Sequence, residues 1–432
     1  MVSGELRSPI FMMETMADPN VVDLVPSDCG PSPMPLGKAS DPLRVALLAG
    51  TLEHGGAEKQ LVYTARALQD AGVHVRVYTL GESEFYEAAL RETGLDPVGV
   101  GRLRNPAGRV LTFARALRQF RPHIVQAGTF YVNLYVALAS RLCGALAIGA
   151  IRGDVALELQ NTGRWGPFLL RVPDALVANS HAAQRAVVRL GLSPEKIHVV
   201  PNVIETALFD RAYEARQAAA PPGQASVILV AQLIQAKRVD RFLSALVVAR
   251  RSAPGLTGAV IGDGAERVSL EQDARRLGLV PNGIEFRGLM DDIPRVMADA
   301  DVLALTSDHE GLPNVIMEAM AARLPVVTTP AGDAAALVEH GVTGFVVPFD
   351  GAVEQLAERL IQLARRPSLR HQMGEAGYAR VTAGYDRTAL IDRLVAVYRT
   401  AALRRGHGRV LERLPRVRSV RAALAPLGVA LP

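Results

Sequence analysis

The chain has 432 residues, 49% of them hydrophobic and 21% charged, with a formal net charge of +5. That length suits two to three domains, each able to bury its own core. Aromatics at 5% are too sparse for stacking platforms on single-stranded nucleic acid, and no basic stripe runs through the body of the chain, so nucleic acid is not an expected partner. Cys29 and Cys143 are too few for a disulfide framework or a Cys-rich metal site, which sets a reducing, cytoplasmic environment as the expectation.

Residues 1–42 are rich in Pro, Ser, Asp and Met without helical or strand period, and are expected to be a disordered leader; Glu5 and Glu14 interrupt the start and argue against a signal peptide. From Leu43 short apolar strands alternate with amphipathic helices: "LRVALLAG", the helix "AEKQLVYTARALQDAG", then "VHVRVYTLG", "PHIVQAG" and "ALAIGAI". The stretch 131–151 imitates a membrane span, but Arg141 and Gly144 inside it favour a helix followed by a buried strand. The alternation predicts a parallel sheet with crossover helices over 43–205.

An Ala/Pro/Gly/Gln stretch at 215–224 marks a linker, placed at 206–224. The strands "SVILVAQL", "TGAVIGDG", "IEFRGL", "DVLALTS", "LPVVTT" and "TGFVVP" then predict a second doubly wound unit over 225–385. A helix is read at 386–403, and Asn202 lies near the expected hinge. The tail 404–432 carries much of the excess charge between Arg404 and Arg421, with Leu and Val between the arginines. It reads either as a segment lying on an anionic membrane surface or as a disordered basic extension.

Ligands of such sheets sit beyond the carboxyl ends of the strands, so the residues just after each strand carry most weight. After the first strand, Gly55 and Gly56 precede a helix and either let backbone N–H groups approach an anion or make an ordinary turn. Lys237 stands just before a helix, where an ammonium can meet a phosphate. "VIGDGAER" carries Gly262 and Gly264 but has Arg267 where a dinucleotide fingerprint needs its third glycine, which disfavours a nicotinamide enzyme.

The richest stretch is "SDHEGLPNVIMEAMAARLPVV". A strand ends at Ser307, the loop brings Asp308, His309 and Glu310 into the crevice, Pro313 suits the first position of a helix, and the N–H groups around Gly311 to Val315 face outward as an anion site. Glu318 follows in a helix with little polar face. Two carboxylates so placed can accept hydroxyls, one from a sugar ring and one from a ribose, while the helix end between them holds phosphate. "DAD" at Asp299 to Asp301 imitates a divalent-metal pair but lies at the amino end of a strand, so no metal is expected there, and no cofactor motif appears elsewhere.

These residues resemble the retaining glycosyltransferases of family 4, from about Leu43 to Tyr398. The likeness rests on "GGAEKQLVYTARAL", "ALVANSHAAQRAVVRLGLSPEKIHVVPNVIE", "QLIQAKRVDRFL", "IGDGAER" and above all the Glu-x7-Glu stretch. The resemblance implies an α/β protein of GT-B architecture: two Rossmann-like doubly wound parallel-sheet domains facing across a cleft. It implies a nucleoside diphosphate sugar of the UDP or GDP type held by the second domain, a sugar or lipid-linked acceptor on the first, and the helix at 386–403 crossing back to the first domain. Carried over, Glu310 contacts the donor sugar, Gly311 and Leu312 offer backbone contacts to sugar and phosphate, Glu318 binds the ribose, Lys237 neutralises the diphosphate, Gly262 and Gly264 line the nucleotide, and Gly56 approaches the phosphates. Catalysis falls to Glu310 and Lys237.

Two departures stand out. Gln232 replaces an arginine common in the family, and Arg238 is either its substitute or a surface residue. Arg152 and Asp154 occupy a loop that often carries a histidine in relatives, and either bind acceptor or pair with each other. Alternatives to transfer are a catalytically weak nucleotide-sugar binding protein and a nucleotide-sugar epimerase on the same fold. A lipid-linked acceptor would add peripheral placement at the inner face of the membrane to the cytoplasmic expectation.

Overall fold

The computed structural model describes residues 41–416 apart from 54, 82–84, 102–104 and 220–224, with 216–219 described as backbone. The leader up to residue 40, Cys29 and the tail beyond 416 lie outside the described residues. The first sheet has seven strands: β1 (Arg44–Ala49), β2 (His74–Thr79), β3 (Val98–Gly99), β4 (Ile124–Ala127), β5 (Leu146–Ile151), β6 (Ala175–Ala178) and β7 (Ile197–Val199). Its order is β3-β2-β1-β4-β5-β6-β7 and every pairing is parallel. The second has six: β8 (Ser226–Val230), β9 (Thr257–Ile261), β10 (Ile284–Gly288), β11 (Val302–Leu305), β12 (Val326–Thr328) and β13 (Gly344–Val346), in the order β10-β9-β8-β11-β12-β13, again all parallel.

Parallel sheets need cover on both faces, and the central strands β4, β5 and β11 are buried along their whole length. Helices supply that cover: α1 (Gly56–Asp70), α2 (Asn133–Cys143), α3 (His181–Arg189), α4 (Thr206–Ala219), α5 (Val239–Ser252), α6 (Asn314–Ala321), α7 (Pro367–Tyr385), α8 (Leu390–Arg405) and α9 (Gly408–Leu411) are those that bear on the site and its frame. The span-like stretch 131–151 resolves into α2, a left-handed Gly144 and the buried β5. Asn133 pins the two together by bonding both the N–H and the C=O of Ala150. Among the described residues no helix is long and apolar enough to cross a membrane.

The stretch expected to be a linker is largely helical. Residues 206–219 form α4, which seats Phe209 in the core shared with Met317 and Met320 of α6, so it belongs to the second domain. The chain crosses between domains twice, and the crossings run side by side: Ile204 N–H donates to Tyr385 C=O at 2.9 Å, and Arg387 N–H returns to Ile204 C=O at 3.2 Å. After the second crossing α8 packs on the first domain through Leu394, Val397 and Tyr398. Tyr398 is fully buried and donates to Gln126 Oε1 at 2.5 Å. The basic tail is neither loose nor free-standing in its first part, since Val410, Leu411 and Leu414 continue the same core.

Candidate functional site

In each sheet the strand order reverses direction between two neighbours, β1 and β4 in the first and β8 and β11 in the second. Loops leaving the carboxyl ends of such a pair must diverge, which opens a crevice between them. Lys237 lies in the loop after β8, and Glu310 in the loop after β11. The crevice brings them together: Lys237 Nζ donates to Glu310 Oε1 at 2.7 Å, and Ser307 Oγ donates to the same oxygen at 2.7 Å. Their side chains are 22% and 11% exposed, so the pair keeps access to solvent and to a ligand.

The loop is tied down from below. Asp308 accepts from Arg238 Nη1 at 3.0 Å and Arg241 Nη2 at 2.8 Å, while Arg241 Nη1 bonds the Thr306 carbonyl. Despite its burial, Asp308 is held below the usual carboxylate range by these two guanidinium groups. Arg238 also forks onto Asp240, and its charge is therefore committed to two carboxylates within its own domain. Gln232 is exposed at the end of β8.

Pro313 precedes α6 and supplies no side-chain cap, and Gly55 likewise leaves the start of α1 uncapped. Both helices thus present the positive end of the dipole, though at α1 the first-turn Glu58 carboxylate accepts its own backbone N–H. The two starts come together: Asn314 Nδ2 donates to the Gly56 carbonyl at 3.1 Å, and a Cβ on Gly56 would lie 2.6 Å from that amide. Gly311 is similarly required, because a Cβ there would stand 2.7 Å from the Arg152 carbonyl and 3.0 Å from Asn179 Oδ1. The loop after β5 is packed directly on the loop after β11.

Glu318, one turn into α6, is only 8% exposed. Its Oε1 accepts from Lys59 Nζ at 2.6 Å, across the cleft from the first domain. Burial opposes the charge on Lys59, and the Glu318 carboxylate more than offsets it, so the ammonium titrates above its ordinary range. Asn202 sits where the expected hinge lies: Nδ2 donates to the Leu312 carbonyl at 3.0 Å and to Asn314 Oδ1 at 2.8 Å, and Oδ1 accepts from Arg152 Nη1 at 3.1 Å. Asp333, in the loop after β12, accepts the N–H groups of His181 at 2.7 Å and Ala182 at 2.9 Å, and thereby caps α3 of the opposite domain.

Of the residues read from the sequence, Gly56, Lys237, Glu310, Gly311, Leu312 and Glu318 share this crevice, and Arg152 reaches it through Asn202. Arg152 and Asp154 do not pair: Asp154 caps the following helix by accepting from Leu157 N–H at 3.0 Å and lies 3.6 Å from His309 Nδ1. Gly262 and Gly264 pack against the end of β8, where added Cβ atoms would strike the carbonyls of Ala231 and Leu233. Asp299 ends a helix and Asp301 Oδ2 accepts the Ser226 N–H at 2.9 Å, both at the amino end of β11. Among the described residues no three His, Cys, Asp or Glu side chains gather as a metal site. Sequence reasoning missed Lys59, Asn314 and Asp333. Asp333 carried a usable signal, since it follows a buried strand at the carboxyl edge.

Two all-parallel lobes, joined by a double crossing and facing each other through uncapped helix ends and paired carboxylates, define a GT-B protein. Residues 54–208 match the family described as Glycosyltransferase Family 4, and residues 210–380 match Glycosyl transferases group 1. The chain belongs to this glycosyltransferase family, and its reaction is glycosyl transfer from a nucleotide sugar. It is 29% identical to the lipopolysaccharide core biosynthesis glycosyltransferase LpsE of Rhizobium meliloti, over 78% of this chain and 94% of that protein. It is also 29% identical to the D-inositol 3-phosphate glycosyltransferase of Segniliparus rotundus, over 63% of this chain and 62% of that one. Its fold is like that of Anabaena Alr3699/HepE in complex with UDP, with a TM-score of 0.71 and 24% identity over 82% of this chain and 99% of that chain.

Proposed function

We propose that the chain moves a sugar from a UDP- or GDP-type nucleoside diphosphate sugar to a hydroxyl of a sugar or lipid-linked acceptor, with retention at the anomeric carbon and without a metal ion. The observation that carries this reading is the crevice in which Lys237–Glu310 and Lys59–Glu318 flank the uncapped start of α6. Glu310 receives a donor-sugar hydroxyl and Glu318 the ribose, each by its oxygen not taken by lysine. The helix tip and Lys237 take the diphosphate.

Breaking the bond between the anomeric carbon and phosphate oxygen leaves negative charge on that oxygen. Lys237 and the N–H groups at the start of α6 stabilise it as it develops, without reorganising. The departing oxygen takes the acceptor proton on the face where the new bond forms, which keeps the anomeric configuration and needs no protein nucleophile. The name of the Rhizobium relative supports a polysaccharide or glycolipid acceptor. The exposed Arg404 and Arg409 on α8 and α9 support peripheral placement at the inner face of a membrane, whereas Arg405 is paired with Asp174 at 2.7 Å.

The test is a thermal-shift panel of UDP- and GDP-sugars, followed by NMR of the product formed with the stabilising donor. A new glycosidic bond with the donor's anomeric configuration is expected in the presence of chelator. Inversion, or turnover only with added divalent ion, refutes the mechanism.

A further inference from the structure

The cations of the cleft are neutralised one by one: Lys59 by Glu318, Lys237 by Glu310, Arg238 by Asp240 and Asp308, and Arg241 by Asp308. Arg152 is different. Its Nη1 is satisfied by Asn202 Oδ1, and among the described residues its Nε is buried without a hydrogen-bond partner and no carboxylate lies within ion-pair distance. Burial pushes its pKa down to about 10, an effect that the more distant Glu58 only partly offsets. Arg152 is half-buried, and a guanidinium partly withdrawn from water without a counter-charge carries a cost that is recovered when an anion arrives.

Where that anion would sit is set by the neighbours. Asn202, which holds Arg152, also holds the Leu312 carbonyl and Asn314, so the guanidinium is fixed beside the start of α6. The Arg152 carbonyl is packed on Gly311, at the Glu310 end of that helix, whereas Glu318 lies one turn further along. The ribose therefore belongs to the far side and Arg152 to the side of the sugar. Gln232, at the end of β8, adds no charge to the site.

We propose that Arg152 is the first domain's receptor for the distal, sugar-bearing phosphate of the donor, so that the leaving group is gripped by a cation from each lobe. The inference rests on reading the cleft as the donor site. An arginine suits this task because its planar fork meets two phosphate oxygens at once.

The test is calorimetric titration of the full chain, as wild type, Arg152→Gln and Arg152→Lys, with UDP against UMP and GDP against GMP. Wild type should prefer the diphosphate of the matching base. Arg152→Gln should weaken diphosphate binding by about tenfold to a hundredfold, as expected for one charged hydrogen-bonded contact, while the monophosphate changes by less than about twofold. Arg152→Lys should recover part of the loss. An unchanged diphosphate-to-monophosphate ratio in Arg152→Gln overturns the proposal, as does equal weakening of both, which would mark a structural role. A wild-type protein that binds none of these nucleotides overturns the donor reading as well.

Discussion

Asp333→Ala removes the carboxylate that ties the second domain to the start of α3. Both oxygens are used, on the N–H groups of His181 and Ala182, and the residue is 5% exposed. A hydrogen bond to a charged group contributes about 1.5–3 kcal/mol, so the two together hold the lobes by about 3–6 kcal/mol. Arg185, 3.9 Å away and 63% exposed, adds little because solvent screens it. Ser180 still caps Ala183 in the variant, so α3 itself should persist. Native-state hydrogen exchange reads the effect directly: amides of His181 and Ala182 should exchange at least about a hundredfold faster, taking the lower bound of the coupling. Asp333→Asn keeps one acceptor oxygen and loses the charge, and should fall between the two. Unchanged exchange at His181 and Ala182 in Asp333→Ala would refute the assignment of this carboxylate as an interdomain cap.

Glu310→Ala should leave the fold intact and lower transfer by about 10²–10³, the loss expected for one well-placed polar contact, and wild-type turnover would remove it from the site. Lys59→Met leaves Glu318 without its counter-ion beside a diphosphate; discounted for partial exposure this is about 1 kcal/mol, so donor KM should rise several-fold with kcat less affected, and an equal or lower KM would count against it. His123 accepts the Arg44 N–H on Nδ1 at 3.0 Å and turns Nε2 toward Arg44 Nη2, and burial, followed by the charges of Arg44 and Arg413, pushes it down to about 4. With its folded pKa below the ordinary 6.5, its contribution is intact above about pH 6.5 and is lost as pH falls toward 4. Partial exposure discounts that to roughly 1–2 kcal/mol, so His123→Asn should flatten the urea midpoint across this window, and an unaltered pH slope contradicts it. Truncation after residue 416 spares the packed Val410 and Leu414 and the exposed Arg404 and Arg409, and should weaken sedimentation with anionic liposomes while leaving thermal stability unchanged; full retention of sedimentation ends the membrane role of residues 417–432.

The alternation of apolar strands and amphipathic helices determined two parallel sheets, because a strand buried on both faces must be a continuous apolar run and a crossover must be amphipathic. The stretch around Glu310 was equally legible. Its loop follows a buried strand, its proline and glycine set the start of a helix, and its carboxylates sit at a spacing that leaves a helix end between them.

Partners across the cleft were a different matter. Lys59 and Glu318 are 259 positions apart, and Asp333 and His181 are 152 apart, so neither pairing leaves a local pattern. Nor could composition tell that the stretch read as a linker opens on a helix seating Phe209, or that the basic tail first covers an apolar face, since both depend on a surface that exists only once the sheets have formed. The sequence by itself determined which chemical groups stand at the carboxyl edges of the strands. Only the tertiary structure decided which of their charges neutralise one another, because that depends on distance in space, and among the described residues it left Arg152 in the cleft bonded to Asn202 but with no carboxylate beside it.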